Sequence, residues 1–303
     1  MLSRLRFVVS FLVIAALPLF AQDTTNAQWD NFANEVLQKT GVPSASVAVV
    51  RDGKIVYLHA YGYANLENKT PAQPNMRYSI GSISKQFTAA AILLLQEQGK
   101  LSLDDKVAKW LPDLTEANNI TIRQLLSHTS GYQDYWPQDY VMPEMLQPTT
   151  VQHILDKWAK IPLDFQPGAK WQYSNTNYVI AGVIVEKVAG KPLLDFLQEK
   201  VFGPLQMKTV TNTDQAKLPP SDPTGYMRYA LGPLHPAPKE GKGWMFAAGE
   251  LAMTAEDLAR WDISMINETI LKPQSYRQME TDVLLANGAG THYGLGVDVA
   301  TRG

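Results

Sequence analysis

Cysteine is absent from all 303 residues. That removes disulfides, thiol nucleophiles and thiolate metal sites together. The five histidines, His59, His128, His153, His235 and His292, show no paired ligand spacing, and no His-Glu-x-x-His occurs. The sequence therefore offers no metal-hydrolase signature, and neither a metal nor a cofactor is expected. Charge is sparse at 18%, the formal net charge is -2, and no basic stripe or like-charge block is present. Nucleic acid is not an expected partner. The glycines Gly294 and Gly296 lack the Lys-Ser/Thr that would make a phosphate loop. No internal repeat, low-complexity tract or flexible linker divides the chain, so its 45% hydrophobic content serves one large domain or two intimate subdomains.

One feature at the N-terminus is addressed to a compartment. Arg4 and Arg6 precede an apolar run from Phe7 to Phe20, broken only by Ser10 and Pro18. Ala21 and the polar Gln22-Asp23-Thr24-Thr25 follow. This is the pattern of a secretory signal peptide over residues 1–21, implying a periplasmic or secreted protein. The rival reading, a membrane anchor, meets a run that is short for a span. Membrane contact is expected only through this segment if it stays uncleaved. Cleavage after Ala21 would leave 25 basic against 29 acidic residues, net -4.

Trp29, Phe32, Ala33, Val36 and Leu37 recur at helical spacing, and Gly41 and Pro43 end that helix. Two β-rich runs, Ala45 to Arg51 and Lys54 to Tyr63, are joined by Asp52-Gly53, a two-residue hairpin signal. From Leu101 to about Thr281 the pattern is mainly helical, with a capped helix over Ile120–Leu126 and further helices over Val151–Lys160, Tyr178–Ala189 and Leu193–Val201. Tyr132 to Pro148 reads as a loop lining something. Residues 204–243 form a Pro- and Gly-rich loop whose aromatics Tyr226, Tyr229 and Trp244 either border a pocket or simply pack. Thr254-Ala255-Glu256-Asp257 opens a helix to about Met265, and Thr291 to Val299 reads as a strand.

The stretch around Ser82 organises the chain. A polar turn, Tyr78 to Lys85, feeds a run from Phe87 to Leu95 that is apolar almost all round. The helix it forms is expected at the centre of the domain. Lys85 lies one turn after Ser82, on the same face. A serine hydroxyl needs a neighbouring base to become nucleophilic, and burial lowers a lysine's pKa toward that role. By itself Ser-x-x-Lys is also what a helix-cap serine and a surface lysine look like. Tyr173-Ser174-Asn175 forms a second constellation before a helix: a tyrosine for proton transfer and an asparagine for a substrate amide, or an aromatic packing residue and a cap.

Taken with Leu125 to Gly131, Gln166-Pro167-Gly168, Gly243 to Gly249, Thr254 to Leu258 and Tyr293-Gly294-Leu295-Gly296, these motifs resemble the serine β-lactamase and penicillin-binding protein superfamily. The similarity is to its class C-like branch and covers nearly everything after the signal peptide. The resemblance implies an α+β, β-lactamase/transpeptidase-like fold over residues 22–303, with an antiparallel sheet flanked by helices and a helical subdomain. It implies a serine hydrolase that acts on an amide or ester carbonyl of a small molecule or peptide. Ser82 would be acylated, Lys85 would keep it activated, Tyr173 would share proton transfer with Lys85, and Asn175 would bind the substrate's amide. The backbone N–H of Ser82 would give half of the oxyanion hole. The family's third motif, Lys-Thr-Gly or His-x-Gly, is matched by Lys39-Thr40-Gly41 in the wrong order and by His292-Tyr293-Gly294 where another motif is expected. It is therefore expected beyond Gly303, with the last strands and the closing helix. The alternative function is a penicillin-binding type of sensor or binding module that keeps the pocket without turnover.

Overall fold

The structure is a computed structural model that describes residues 19–138 and 140–299. The signal-peptide segment before Leu19 lies outside the described residues. Among the described residues no helix is long and apolar enough to cross a membrane.

Helix α1 (Leu19–Thr40) leads into strands β1 (Ser44–Arg51) and β2 (Lys54–Asn65). Asp52 and Gly53 both take positive φ, 51° and 68°. This two-residue turn matches the twist of the flanking strands and fixes the register, with Arg51 opposite Lys54 and Val47 opposite His59. Strand β3 (Thr70–Pro71) pairs along the far edge of β2. Strand β4 (Tyr78–Ser79) belongs to a second antiparallel sheet with β5 (Thr211–Asn212) and β8 (Leu251–Met253), in which β8 is central. Strands β6 (Tyr226–Met227) and β7 (His235–Pro236) form a third pair. The pairing is antiparallel throughout, as expected, but is divided among three short sheets.

Helix α2 (Ser84–Glu97) is the core. Phe87, Ala89 to Leu93 and Leu95 are all fully buried. It packs against α5 (Asn175–Ala189) and α7 (Phe246–Gly249). Small residues permit this close approach: a Cβ added to Gly182 of α5 would stand 2.4 Å from that of Ala247. Helix α8 (Ala255–Ile266) starts at Thr254, whose side chain accepts from the N–H of Asp257. It bridges hairpin and core, lying against β1 and β2, while Trp261 donates to Gln86 and packs its ring 4.9 Å from that of Phe87.

The remaining helices are short. Helix α3 (Ile122–Leu126) carries a capping box between Thr121 and Gln124. Helix α4 (Val151–Ile154) was expected to run to Lys160, but continues as a wider π-helical turn over Leu155–Ala159. Helix α6 (Leu193–Leu197) likewise widens over Gln198–Phe202. Hydrophobic spacing does not distinguish these turns from an α-helix. Helix α9 (Pro273–Glu280) precedes Thr291–Val299, which is not the strand its composition suggests. Gly294 and Gly296 fold this stretch onto itself: Gly294 donates to Val297, Val299 to His292, and Leu295 to Met279. The loop over residues 204–243 is anchored by the buried Asp222, which receives the backbone N–H and guanidinium of Arg77.

Candidate active site

Ser82 sits in a single 3-10 turn, Gly81–Ile83, at the entrance of α2. Ser82 is exposed, while Lys85 is 1% exposed beneath it. The i, i+3 geometry brings Lys85 Nζ to 3.0 Å from Ser82 Oγ. Lys85 also donates to Asn175 Oδ1 at 2.8 Å and to the carbonyl of Ala248 at 2.7 Å. Burial holds its pKa down at about 7, against a smaller raising effect of the Asp134 charge. An uncharged amine is therefore accessible near neutrality, next to a serine hydroxyl.

The turn before α5 contributes from the opposite wall. Tyr173 donates its hydroxyl to Ser82 Oγ at 2.7 Å. Burial pushes the phenol up to about 12, although its bond to Ser82 pulls the other way. Lys85 Nζ stands 4.9 Å from the centre of the Tyr173 ring. Asn175, the first residue of α5, joins Lys85 through its carbonyl oxygen and Asp134 through its amide nitrogen. The four residues singled out from the sequence, Ser82, Lys85, Tyr173 and Asn175, therefore meet in one hydrogen-bonded group. They come from two segments about ninety residues apart.

Two participants escaped sequence reasoning. Asp134 accepts the backbone N–H groups of Asn175, at 2.9 Å, and of Trp136, at 3.1 Å, besides the Asn175 side chain. Burial raises its pKa above the usual carboxylate range, while these hydrogen bonds hold it back. The local signal was present, since an aspartate accepting from the residue two positions on is a common turn device; its reach to Asn175 was not. The second is the Ala248 carbonyl, a backbone group supplied by the short helix α7 and invisible to any side-chain motif.

These groups open on a cleft of about 840 Å³ whose lining includes Ser82, Asp134, Trp136, Tyr173, Asn175 and Met245. The stretch from Gln133 to Gln138 lies along it, as the aromatic loop suggested. Tyr226, Tyr229 and Trp244 do not line it. Trp244 is buried and donates to Gln147, Tyr226 accepts from Leu66, and Tyr229 is exposed. Lys39 pairs with Glu35 at the end of α1, and His292-Tyr293-Gly294 also lies off the cleft, with Tyr293 packed 5.0 Å from the His128 ring. His128 packs as expected, fully buried, but its ring bonds outside its own turn: it accepts the N–H of Ser174.

The chain has relatives among known proteins. The Beta-lactamase family profile matches residues 29–302. Penicillin-binding protein 4* of Bacillus subtilis is 31% identical over 267 residues, which are 84% of this chain and 59% of that protein. Protein flp of Staphylococcus aureus is 31% identical over 83% of this chain and 50% of its own length. The chain thus spans between half and three fifths of these relatives. The D-amino acid amidase of Ochrobactrum anthropi SV3, solved with D-phenylalanine, superposes with a TM-score of 0.78 at 28% identity, over 86% of this chain and 76% of that one. The architecture is that of the β-lactamase/transpeptidase-like fold, α+β as expected. By profile, by sequence and by fold, this chain belongs to the Beta-lactamase family.

Proposed function

We propose that the protein is an exported serine hydrolase that opens an amide or ester carbonyl through an acyl-enzyme on Ser82. The observation that carries this reading is the convergence of Lys85 Nζ and the Tyr173 hydroxyl on the oxygen of one exposed serine, at 3.0 and 2.7 Å. In the proposed first step Ser82 Oγ bonds to the carbonyl carbon and its proton passes to neutral Lys85. The backbone N–H of Ser82 supplies one hydrogen bond to the developing oxyanion. The carbon–nitrogen or carbon–oxygen bond then breaks, Tyr173 gives its proton to the leaving group, and Lys85 restores it to Tyr173. Water, activated by the same pair, releases the acyl group in the second half. Asn175, held by Asp134, orients the substrate's amide.

The substrates we assign are small D-configured amides or esters and β-lactams. The names of the amidase and of the penicillin-binding relatives support this class. Export rests on the charged and apolar pattern of residues 1–21, and the catalytic unit is assigned to residues 22–303. Hydrolysis of D-phenylalanine amide, p-nitrophenyl acetate and nitrocefin by the purified protein and by Ser82→Ala tests the reading. Turnover of at least one substrate, lost in the variant, is expected. Equal turnover by the two proteins overturns it.

A further inference from the structure

His128 stands directly behind the proposed proton-transfer residue. Its ring centre lies 4.4 Å from that of Tyr173. The rings of Tyr178 and Tyr293 enclose it further, at 5.2 and 5.0 Å. Two hydrogen bonds tie the same residue to the turn that carries Tyr173. The His128 carbonyl accepts the N–H of Gln172 at 3.0 Å, and His128 Nδ1 accepts the N–H of Ser174 at 3.1 Å. Tyr173 is thus held by its neighbours on either side and by its own ring, in each case through His128.

The residue is maintained against two local costs. Its backbone is left-handed, with φ of 59°, a region uncommon for side-chain-bearing residues although histidine enters it more readily than most. Because Nδ1 accepts, the ring proton resides on Nε2, and that atom is buried with no hydrogen-bond partner among the described residues. A packing role alone would be met by an apolar residue without the second cost. Burial and the nearby Lys85 charge keep the ring neutral, its pKa well below the usual histidine value. That state preserves Nδ1 as an acceptor.

We propose that His128 is a positioning residue for the serine chemistry: it fixes the Tyr173 phenol at hydrogen-bond distance from Ser82. The inference rests on the function proposed above for Ser82 and Tyr173. Misplacing a reacting group by about 1 Å costs on the order of a hundredfold in rate, and the phenol has no other aromatic support of comparable closeness among the described residues.

The test is a double-mutant cycle read by labelling of Ser82 with a fluorophosphonate. Asparagine accepts a left-handed backbone and offers an oxygen in place of Nδ1, but removes the ring. His128→Asn is expected to slow labelling at saturating reagent by about ten- to a hundredfold, with the half-saturating concentration changed by less than about threefold. On a Tyr173→Phe background the same substitution is expected to change the rate by less than about twofold, because its effect passes through the phenol. His128→Phe, which fills the space but lacks the acceptor, gives a second cycle should the asparagine variant not fold. An unchanged rate in folded variants, or an equal loss on both backgrounds, overturns the inference. Failure of the unaltered protein to label, or a Tyr173→Phe rate equal to it, overturns the proposed function as well and is distinguishable on that account.

Discussion

Lys85 makes the sharpest thermodynamic prediction. It is 1% exposed and its pKa is about 7, against 10.5 for a free lysine. Between those values the unfolded chain binds a proton that the folded chain does not. Raising the pH through this window therefore favours the fold, and stability contributed by neutral Lys85 is complete only above about 10.5. A shift of about 3.5 pH units at about 1.4 kcal/mol each corresponds to about 5 kcal/mol. Lys85→Met keeps the length of the side chain and removes the titration. It also leaves the carbonyls of Asn175 and Ala248 without their donor, so its absolute stability is a mixture of gain and loss. The difference between the two proteins as a function of pH isolates the lysine and cancels the tyrosines, which titrate in both. Urea denaturation from pH 6 to 10 should show the unaltered protein gaining on the variant with a slope approaching about 1.4 kcal/mol per pH unit above pH 7. Parallel stability curves would refute the assignment of a neutral, buried lysine.

Asp134→Asn removes a negative charge that raises the Lys85 pKa, so the acid limb of the labelling or hydrolysis rate should move to lower pH than its expected midpoint near 7; an unmoved limb would disconnect Asp134 from Lys85. Gly182→Ala puts a methyl 2.4 Å from Ala247 and 2.7 Å from Phe246, which should lower stability by about 1–3 kcal/mol in thermal denaturation and slow acylation by shifting the Ala248 carbonyl. Glu250 is 4% exposed and burial raises its pKa to about 7 from 4.5. The folded chain holds that proton more tightly, so stability relative to Glu250→Gln should fall by about 3 kcal/mol as pH rises from about 4.5 to 7. A flat difference across that range would contradict the burial argument.

Much of this was legible because it is local. The Asp52-Gly53 turn and the Thr121–Gln124 capping box each lie within a few residues of the structure they specify. Ser82 and Lys85 share a helix face by spacing alone, and Tyr173 and Asn175 were found by their chemistry beside the family's motif order. What remained hidden depends on distant partners. Asp134 matters through an asparagine forty-one residues away, and Ala248 through a backbone oxygen. The π-helical turns after α4 and α6 leave no trace in hydrophobic period. Thr291–Val299 has the composition of a strand, but Gly294 closes against the carbonyl of Met279, where any side chain would clash at 2.1 Å. Packing against α9, rather than local propensity, sets its course.

The central claim is that Ser82 is a nucleophile activated by Lys85 and Tyr173. Intact-protein mass spectrometry after exposure to a penicillin and, separately, to a fluorophosphonate tests it most directly, with peptide mapping to place any adduct. The account predicts one adduct per chain on the peptide containing Ser82, absent from Ser82→Ala and much slower in Lys85→Met. A penicillin adduct that decays over minutes would mark a hydrolase, and one that persists would mark a sensor with the same nucleophile. No adduct on the folded protein, or an adduct retained in Ser82→Ala, would contradict the account.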